Sequence, residues 1–338
     1  MKKVMCLMVL GVLSVSWLVC QPLYAQEKTI TLKLANFFPP DNKIAVAMDG
    51  WCKEVEKRTN GRVKATQFAG GTLSPPTQTY QAVIKGVADM GLSFSSYTMG
   101  RFPLSEVVDL PLGYKSGYLA TKLSNEFYKR FKPKEFDDVK VMFLTASPPH
   151  MLHAKKLVAN LEDLKGLKIR STGTSAKVAQ ALGAVPVAMP MSDAYDALSK
   201  GVAQGIICPY EPMKGFKLAE VVSYSTEYGS AYTNMNYIVM NKEKWNSIPA
   251  DIQKIIEQVN SEWIEKMGKL WDELDQEGKD VFIQKGGKIT ILSKAENDRW
   301  AARLRPILDE YVNNMKSKGL PGDEALKFCL DYLKKNQK

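Results

Sequence analysis

Arg170 is the residue of this sequence whose type and position point most directly to chemistry. It is the only arginine in residues 162–209, where it follows the alternating segment LKI and precedes the residues STG. The alternation predicts a short strand, and the Ser, Thr and Gly residues predict a turn at its carboxyl end. A guanidinium stays charged when buried and offers two parallel N–H donors to a carboxylate. Two roles are open for Arg170 from its position alone, that of an anion-binding residue and that of a surface cation.

Catalytic and metal-binding patterns are sparse in the rest of the chain. There is no G-x-S-x-G elbow, no H-E-x-x-H, no Walker lysine and no G-x-G-x-x-G at a strand end. The two histidines, His150 and His153, follow a Pro-Pro pair that predicts extended chain, where such residues point to opposite sides. This favours one pocket-facing and one surface histidine over a metal pair. Asp193 and Asp196 fit a helix start and its exposed face, so we expect no catalytic residues and no metal site.

The amino terminus predicts export. Lys2 and Lys3 precede an apolar run that ends at a Gln-Pro pair and the small residue Ala25, the pattern of a cleaved signal peptide over residues 1–25. Lipidation at Cys20 is the alternative, although Val19 is large for the preceding position. No later segment has the roughly 18 uncharged apolar residues that a membrane span needs. We therefore expect a periplasmic protein.

Charge and cysteine content narrow the function further. Removal of residues 1–25 takes away two lysines, so 46 basic and 36 acidic residues become 44 and 36, a net charge of +8. The charges are interspersed, as on solvated surfaces, and an exported chain is a poor candidate for binding nucleic acid. Cys52, Cys208 and Cys329 are far apart and odd in number, so they predict neither a disulfide framework nor a metal site.

Strand-like and helical segments alternate along the chain. KTITLKLANFFPP, VKATQFAGG and MGLSFSS predict strands with helical segments between them, and the pattern restarts with VKVMFLTASPP, LKIRSTG, VPVAMP and AQGIICP. This order predicts two α/β domains with open, largely parallel sheets and helices on both faces. Ligands collect at the carboxyl ends of strands in such sheets, where Phe38, Phe94 and Ser95 would lie.

The strongest helical pattern covers residues 249–285. Apolar residues recur there at spacings of three and four, Pro249 provides the start, and Gly286 and Gly287 provide the stop. A helix of this length would be about 50 Å long. We expect it to brace two domains rather than lie within one.

Six segments in order resemble the DctP-type substrate-binding proteins of tripartite ATP-independent periplasmic (TRAP) transporters. They are KRTNGRVKATQFAGGTLS, AVIKGVADMGLSF, FPLSEVVDLPLGYKS, LEDLKGLKIRSTG, ALGAVPVAMPMSDAYDALSKGVAQGIICP and MNKEKWNSIPADIQKIIEQV. The resemblance implies the α/β two-domain periplasmic-binding-protein fold (class II-like), with open mixed sheets, a cleft between the domains and a long bracing helix. We expect residues 26–148 plus about 237–275 in domain I, and 149–236 plus about 276–338 in domain II.

The resemblance also implies a site. In this family the arginine of the GLKIR strand, here Arg170, clamps the carboxylate of the ligand. Members that bind sialic acid have a second arginine where this chain has His150, an acid where it has Phe94, and an asparagine where it has Cys208. A sugar acid therefore fits poorly. The further cleft candidates, each with a core or surface role as the alternative, are Phe38, Ser95, Tyr210, Glu211, Tyr232 and Asn234.

The expected function is that of a solute receptor. It would bind a small organic carboxylate between its domains and deliver it to the membrane subunits of a TRAP transporter, as a monomer and without a cofactor, since an ion gradient drives these systems. An exported hydrolase or lyase on the same fold is the alternative, and the missing nucleophile and base disfavour it. Keto, hydroxy, aromatic and amino acids, and sulfonates, all remain open as ligands, and Glu211 could meet an amine or face solvent.

Overall fold

The computed structural model describes residues 29–337 of the 338-residue chain. The predicted signal peptide over residues 1–25 and the alternative of lipidation at Cys20 lie outside the described residues. Among residues 29–337, none of the helices combines the length and the apolar character needed to cross a membrane.

The described chain forms two β-sheets with helices packed against them. The strands are β1 (Ile30–Asn36), β2 (Val63–Phe68), β3 (Met90–Phe94), β4 (Val139–Ala146), β5 (Met151–Ala154), β6 (Lys168–Ser171), β7 (Val185–Ala188), β8 (Gly205–Cys208), β9 (Tyr224–Glu227), β10 (Met235–Asn241) and β11 (Lys288–Ile291). The helices are α1 (Lys43–Arg58), α2 (Thr79–Ile84), α3 (Gly117–Phe131), α4 (Leu161–Leu164), α5 (Thr174–Ala181), α6 (Ala194–Ser199), α7 (Glu211–Gly215), α8 (Lys242–Asn246), α9 (Ala250–Gln284), α10 (Lys294–Ser317) and α11 (Gly322–Asn336).

Both sheets are mixed. The five-stranded sheet has the order β2-β1-β3-β10-β4, in which β10 runs antiparallel to both of its neighbours. The six-stranded sheet has the order β11-β9-β5-β8-β6-β7, in which β5 runs antiparallel to β8 and β9. We call the five-stranded sheet with its helices the first lobe and the six-stranded sheet with its helices the second lobe. The predicted pair of open mixed α/β sheets is confirmed.

Two extended segments carry the chain from one sheet to the other. Residues 147–150 join β4 to β5, and residues 228–234 join β9 to β10. The two segments are hydrogen-bonded to each other, from Ser147 N to Asn234 O (3.0 Å) and from His150 N to Tyr232 O (2.9 Å). This pairing fixes three of the predicted site residues at the junction of the lobes.

Helix α9 is a third connection between the lobes. Its buried residues recur every three or four positions, as the sequence predicts, and they include Trp263, Met267 and Trp271. The helix packs against α1, α3 and β4 of the first lobe and against α7 of the second. The expected long bracing helix is confirmed, with Pro249 as its cap and Gly286 in the left-handed region just after its end.

The last two helices pack together at the junction of the lobes. Helix α10 packs against α4 and α5 of the second lobe, and α11 packs against α10 as well as against α3 and the turn Ser105–Asp109 of the first lobe. Residues 322–336, expected in domain II with residues 276–338, therefore contact both lobes.

Candidate ligand-binding site

A cavity of about 410 Å³ lies where the two lobes meet. Both lobes and α9 contribute aromatic rings to its wall, namely Phe38, Phe94, Tyr97, Phe216, Tyr232 and Trp271. Its polar lining consists of Ser147, His150, Arg170, Thr172, Ser175, Glu211 and Asn234. Seven of the ten sequence-predicted site residues thus line one cavity.

Arg170 is the buried cation of this cavity. It lies in β6 and is only 3% exposed. Its Nε donates a hydrogen bond to the carbonyl oxygen of Met189 (3.0 Å), and one of its terminal nitrogens lies 3.5 Å from the hydroxyl of Tyr97. No Asp or Glu carboxylate among residues 29–337 pairs with this guanidinium. A buried charge without a counterion is costly, so the arrangement suits an anion supplied from outside.

Tyr97 connects the lobes at the same point. It belongs to the short turn after β3, and its hydroxyl accepts a hydrogen bond from the backbone N–H of Met191 (3.0 Å) as well as facing Arg170. A side chain of the first lobe thus contacts two parts of the second. Sequence reasoning missed this residue, although it lies within three positions of the predicted Phe94.

His150 lies between two hydroxyl groups. Its Nε2 is 2.8 Å from the hydroxyl oxygen of Ser147, and its Nδ1 is 2.6 Å from that of Tyr232. Burial first, and then the guanidinium of Arg170, hold the pKa of His150 well below the usual range. The imidazole is therefore neutral at physiological pH and can donate one hydrogen bond and accept another.

His153 was expected at the surface, and that expectation is wrong. Its side chain is fully buried, its Nε2 is 3.0 Å from the carbonyl oxygen of Cys208, and its ring packs against Tyr210 and Phe282. The opposite side of β5 is covered by the helical layer of the second lobe rather than by solvent. Burial lowers the pKa of His153 to about 4.

The aromatic rings of the wall contact one another. Phe38 lies 6.2 Å from Phe94, 6.1 Å from Phe216 and 6.0 Å from Trp271, measured between ring centroids, and Phe94 lies 5.3 Å from Tyr97. Tilted and edge-on arrangements at such distances are favourable for aromatic pairs. The cavity therefore offers a flat aromatic or apolar group a preformed wall next to the guanidinium.

The comparison with known families decides the class of the protein. The model of the DctP family, bacterial extracellular solute-binding protein family 7, matches residues 34–314. The chain belongs to this family. Its members are solute receptors of TRAP transporters rather than enzymes, as the sequence predicted.

Solved structures of TRAP solute-binding proteins are similar over nearly the whole chain. One from Desulfovibrio salexigens, an open complex with the C-terminus of a symmetry mate in its ligand-binding site, is 35% identical, with a TM-score of 0.81 over 91% of this chain and 97% of that one. One from Rhodoferax ferrireducens, with copurified benzoate, is 28% identical, with a TM-score of 0.86 over 91% and 98%. One from a marine metagenome, specific for aromatic acid ligands and solved with 3-hydroxybenzoate, is 29% identical, with a TM-score of 0.87 over 92% and 99%.

Glu211 places a carboxyl group in the cavity of this DctP-family protein. It is the first residue of α7 and is 3% exposed, and its Oε1 accepts a hydrogen bond from Asn42 Nδ2 (2.8 Å) across the lobes. Asp275 of α9 accepts hydrogen bonds from the backbone N–H groups of Tyr210 (2.6 Å) and Glu211 (3.2 Å), which fixes the start of α7. Burial raises the pKa of Glu211 to about 7.

Asn234 holds a buried acceptor at the other side of the junction. Its Nδ2 donates to the hydroxyl of Ser96 (2.8 Å), and its Oδ1 is buried without a partner among the described residues. Rotation of this amide by 180° would let Ser96 donate to Oδ1 and would place a donor where the unpartnered acceptor now lies.

Three predicted site residues do not line the cavity. Cys208 and Tyr210 flank Pro209, which does, and alternation along the chain turns their side chains to the opposite side. The Tyr210 hydroxyl instead meets Ser225 (2.7 Å). The hydroxyl of Ser95 is directed to Asp109 Oδ2 (3.1 Å), away from the cavity.

A larger space of about 730 Å³ opens elsewhere between the lobes, but its charges already have partners. Lys177 pairs with Glu106 (2.8 Å), and Asp109 accepts hydrogen bonds from Ser95 and a backbone N–H group. Only the exposed Lys318 remains. Within residues 29–337 no group of three or more His, Cys, Asp and Glu side chains is arranged to hold a metal ion.

The neutral state of His150 leads to a test by pH. Because burial and Arg170 keep its pKa well below the usual value near 6.5, we expect no protonation of His150 between about pH 7.5 and 5.5. Ligand affinity in wild type and in His150→Gln should therefore follow the same pH profile, measured by calorimetric titration. Tightening at low pH in wild type that is lost in His150→Gln would show that the ring becomes charged when ligand binds.

Proposed function

We propose that the solute of this TRAP receptor is a small aromatic monocarboxylate. The observation that carries the proposal is the buried guanidinium of Arg170, which has no carboxylate partner among the described residues and opens onto a cavity walled by aromatic rings. A carboxylate would take the two-pronged contact with the guanidinium, and its ring would pack against Phe38, Phe94 and Trp271.

The lining of the cavity supports an aromatic acid over a sugar acid. A polyhydroxylated ligand would bury several hydroxyl groups against Phe94, Phe216 and Trp271. These side chains have no hydrogen-bond acceptor atoms, so such hydroxyl groups would lose their hydrogen bonds to water without replacement. The relatives that hold benzoate and 3-hydroxybenzoate support the same class of ligand.

The remaining expectations about the receptor are part of the same proposal. Export by a signal peptide cleaved after Ala25, action as a monomer, and no binding of nucleic acid accord with the sequence. Residues 26–148 with about 237–275 would form one domain, and residues 149–236 with about 276–338 the other. Helix α11 packs against α10 as well as α3, so it contacts both lobes.

Thermal unfolding with added ligand tests the proposal. Benzoate at a hundred times its dissociation constant should stabilise the protein by about 2.7 kcal/mol through mass action alone. Benzyl alcohol, which keeps the aromatic ring and lacks the charge, and glucuronate, which keeps the charge and lacks an aromatic ring, serve as matched controls. Stabilisation by glucuronate but by no aromatic acid would contradict the proposal, and mass spectrometry of copurified ligand gives an independent answer.

A further inference from the structure

Two charged side chains line the cavity, and they do not pair with each other. Arg170 and Glu211 are each 3% exposed. The guanidinium contacts Met189 and Tyr97, whereas the hydrogen bond of the Glu211 carboxyl group goes to Asn42. Buried charges normally have a partner, so the cavity offers two separate groups for a ligand to satisfy.

The carboxyl group of Glu211 has acceptor capacity to spare. Its Oε1 accepts from Asn42, and its Oε2 has no hydrogen-bond partner among residues 29–337. An ionised carboxylate has about four acceptor sites and no donor. No Lys, Arg or His of the described chain forms an ion pair with it. A ligand that brings a donor to Oε2 would therefore pair an acceptor that a bound ligand without a donor would cover and leave unpaired.

Building on the proposed aromatic monocarboxylate, we propose that Glu211 selects for a ring hydroxyl group. The carboxylate of the ligand would bind Arg170, and its phenolic O–H would donate to Oε2 of Glu211. Asn42 then acts as a positioning residue, because its hydrogen bond to Oε1 holds Glu211 in the cavity from the opposite lobe.

A neutral hydroxyl fits better than an ammonium group. A cation would have to lose its own hydration in a cavity that already contains the Arg170 guanidinium. It has three N–H donors to satisfy, whereas the side-chain acceptors of the cavity that lack a partner among the described residues are Oε2 of Glu211 and Oδ1 of Asn234, beside a wall of Phe38, Phe216 and Trp271. A phenolic group needs only one acceptor, and its ring supplies the apolar surface.

Glu211 also borders solvent on its far side. A second cavity, about 580 Å³ and open to the surface, is lined by Glu211 and by charged residues of the neighbouring elements. The charged groups around Glu211 are Asp41 and Lys43 at the start of α1, Lys214 and Lys217 in and after α7, and Asp275 and Glu277 of α9. Glu277 forms ion pairs with Lys43 and Lys214, so the charges of these three residues are already paired.

Proton exchange at Glu211 gives the inference a second readout. With a pKa raised to about 7 by burial, the group is close to half protonated at neutral pH. Benzoate adds a negative charge and removes water, which raises the pKa further, so its binding should take up protons at pH 7. A phenolic donor stabilises the ionised form, which lowers the pKa, so a hydroxybenzoate should take up fewer protons than benzoate.

The experiment compares benzoate with its ortho, meta and para hydroxy derivatives by calorimetry at pH 7 in two buffers of different ionisation enthalpy. In wild type, at least one hydroxybenzoate isomer should bind at least about tenfold more tightly than benzoate. Its binding should also take up fewer protons than the binding of benzoate. In Glu211→Gln, which keeps the acceptor for Asn42, both differences should shrink strongly. Glu277→Gln, the same change on the adjacent solvent-exposed carboxylate, should leave both differences as in wild type.

Each other outcome is distinct. Binding of benzoate and all three isomers with equal affinity would overturn the role of Glu211 while leaving the aromatic ligand class intact. Binding of no aromatic acid would instead remove the proposed function. Greater proton uptake with the hydroxylated acid would make Glu211 a donor, and loss of the uptake in Asp275→Asn but not in Glu211→Gln would assign the proton to Asp275. Both results contradict the inference.

Discussion

Arg170→Ala should weaken binding of the carboxylate ligand by about 2 to 5 kcal/mol, the range for truncation of one partner of a buried charged pair. The guanidinium is 3% exposed, and its spare N–H groups face the cavity, so the ligand anion would be left in an apolar site without its counterion. Arg170→Lys should also weaken binding, because a point charge replaces a planar two-pronged donor. Calorimetric titration measures both losses.

The unliganded protein gives a control for a purely structural role. Since Arg170 has no carboxylate partner among the described residues, Arg170→Met removes an uncompensated buried charge at the cost of the hydrogen bond to Met189 and the 3.5 Å contact with the Tyr97 hydroxyl. Its Tm without ligand should equal or exceed that of wild type, while binding is lost. Arg299→Met, at an exposed arginine paired with Glu162 and Glu296, should leave binding unchanged. A large fall in Tm for Arg170→Met with binding retained would return Arg170 to a structural role.

Local patterns carried much of the fold prediction. The period of three and four over residues 249–285 predicted α9 (Ala250–Gln284) within one residue at each end. The restart of strand patterns predicted a second sheet, but the first strand of that restart, β4 (Val139–Ala146), belongs to the five-stranded sheet, and the six-stranded sheet begins at β5. These features depend on neighbouring residues, and neighbouring residues are what a sequence pattern contains. That the sheets are mixed, with β10 antiparallel to its neighbours in the first, was expected only from the family resemblance to proteins with mixed sheets. Strand direction depends on the path of the whole chain, which local patterns do not record.

The candidate site also contains residues that local sequence patterns identify and residues that they do not. Arg170 stands out because its residue type is unusual at a strand end, and the strand pattern alone places it. Tyr97 and Trp271 are ordinary core residues by sequence, and only the meeting of two lobes makes them cavity walls. The contact of Asn42 with Glu211 joins residues 169 positions apart, which no local pattern records.

The site predictions that differ from the structure, those for Cys208, Tyr210 and His153, have a common physical cause. Cys208 was placed in the cleft because it stands just before the proline of a family motif, and Tyr210 as part of an aromatic wall. Both flank Pro209, which lines the cavity, and residues one position apart in extended chain face opposite sides. The same alternation buries His153 beneath Phe282 instead of exposing it. A motif locates a segment well. The direction of each side chain within it depends on which layer covers each side of the sheet.

The largest effect on stability is expected at Gly278, where α9 passes beneath the start of α7. A Cβ atom there would lie 2.0 Å from the carbonyl oxygen of Tyr210 and 3.0 Å from the Cα of Glu211. These are backbone atoms, and Asp275 holds the same two residues through their N–H groups, so α7 cannot yield without losing those bonds. Gly278→Ala should therefore destabilise the protein by about 3 kcal/mol, the upper end of overpacking, despite a gain of about 1 kcal/mol in helix propensity.

The matched control for this change is Gly50→Ala in α1, where the new Cβ would lie 3.7 Å from the nearest atom, in the ring of Trp263. Helix propensity should act there without a clash, so Tm should hold or rise. Gly278→Ala should also lower affinity, because displacement of α7 carries Glu211 away from Asn42 and from the cavity. Denaturant unfolding and ligand titration of the two variants measure both effects. If Gly278→Ala matched Gly50→Ala in both measurements, α7 would be free to shift, and its packing on α9 could not be what positions Glu211.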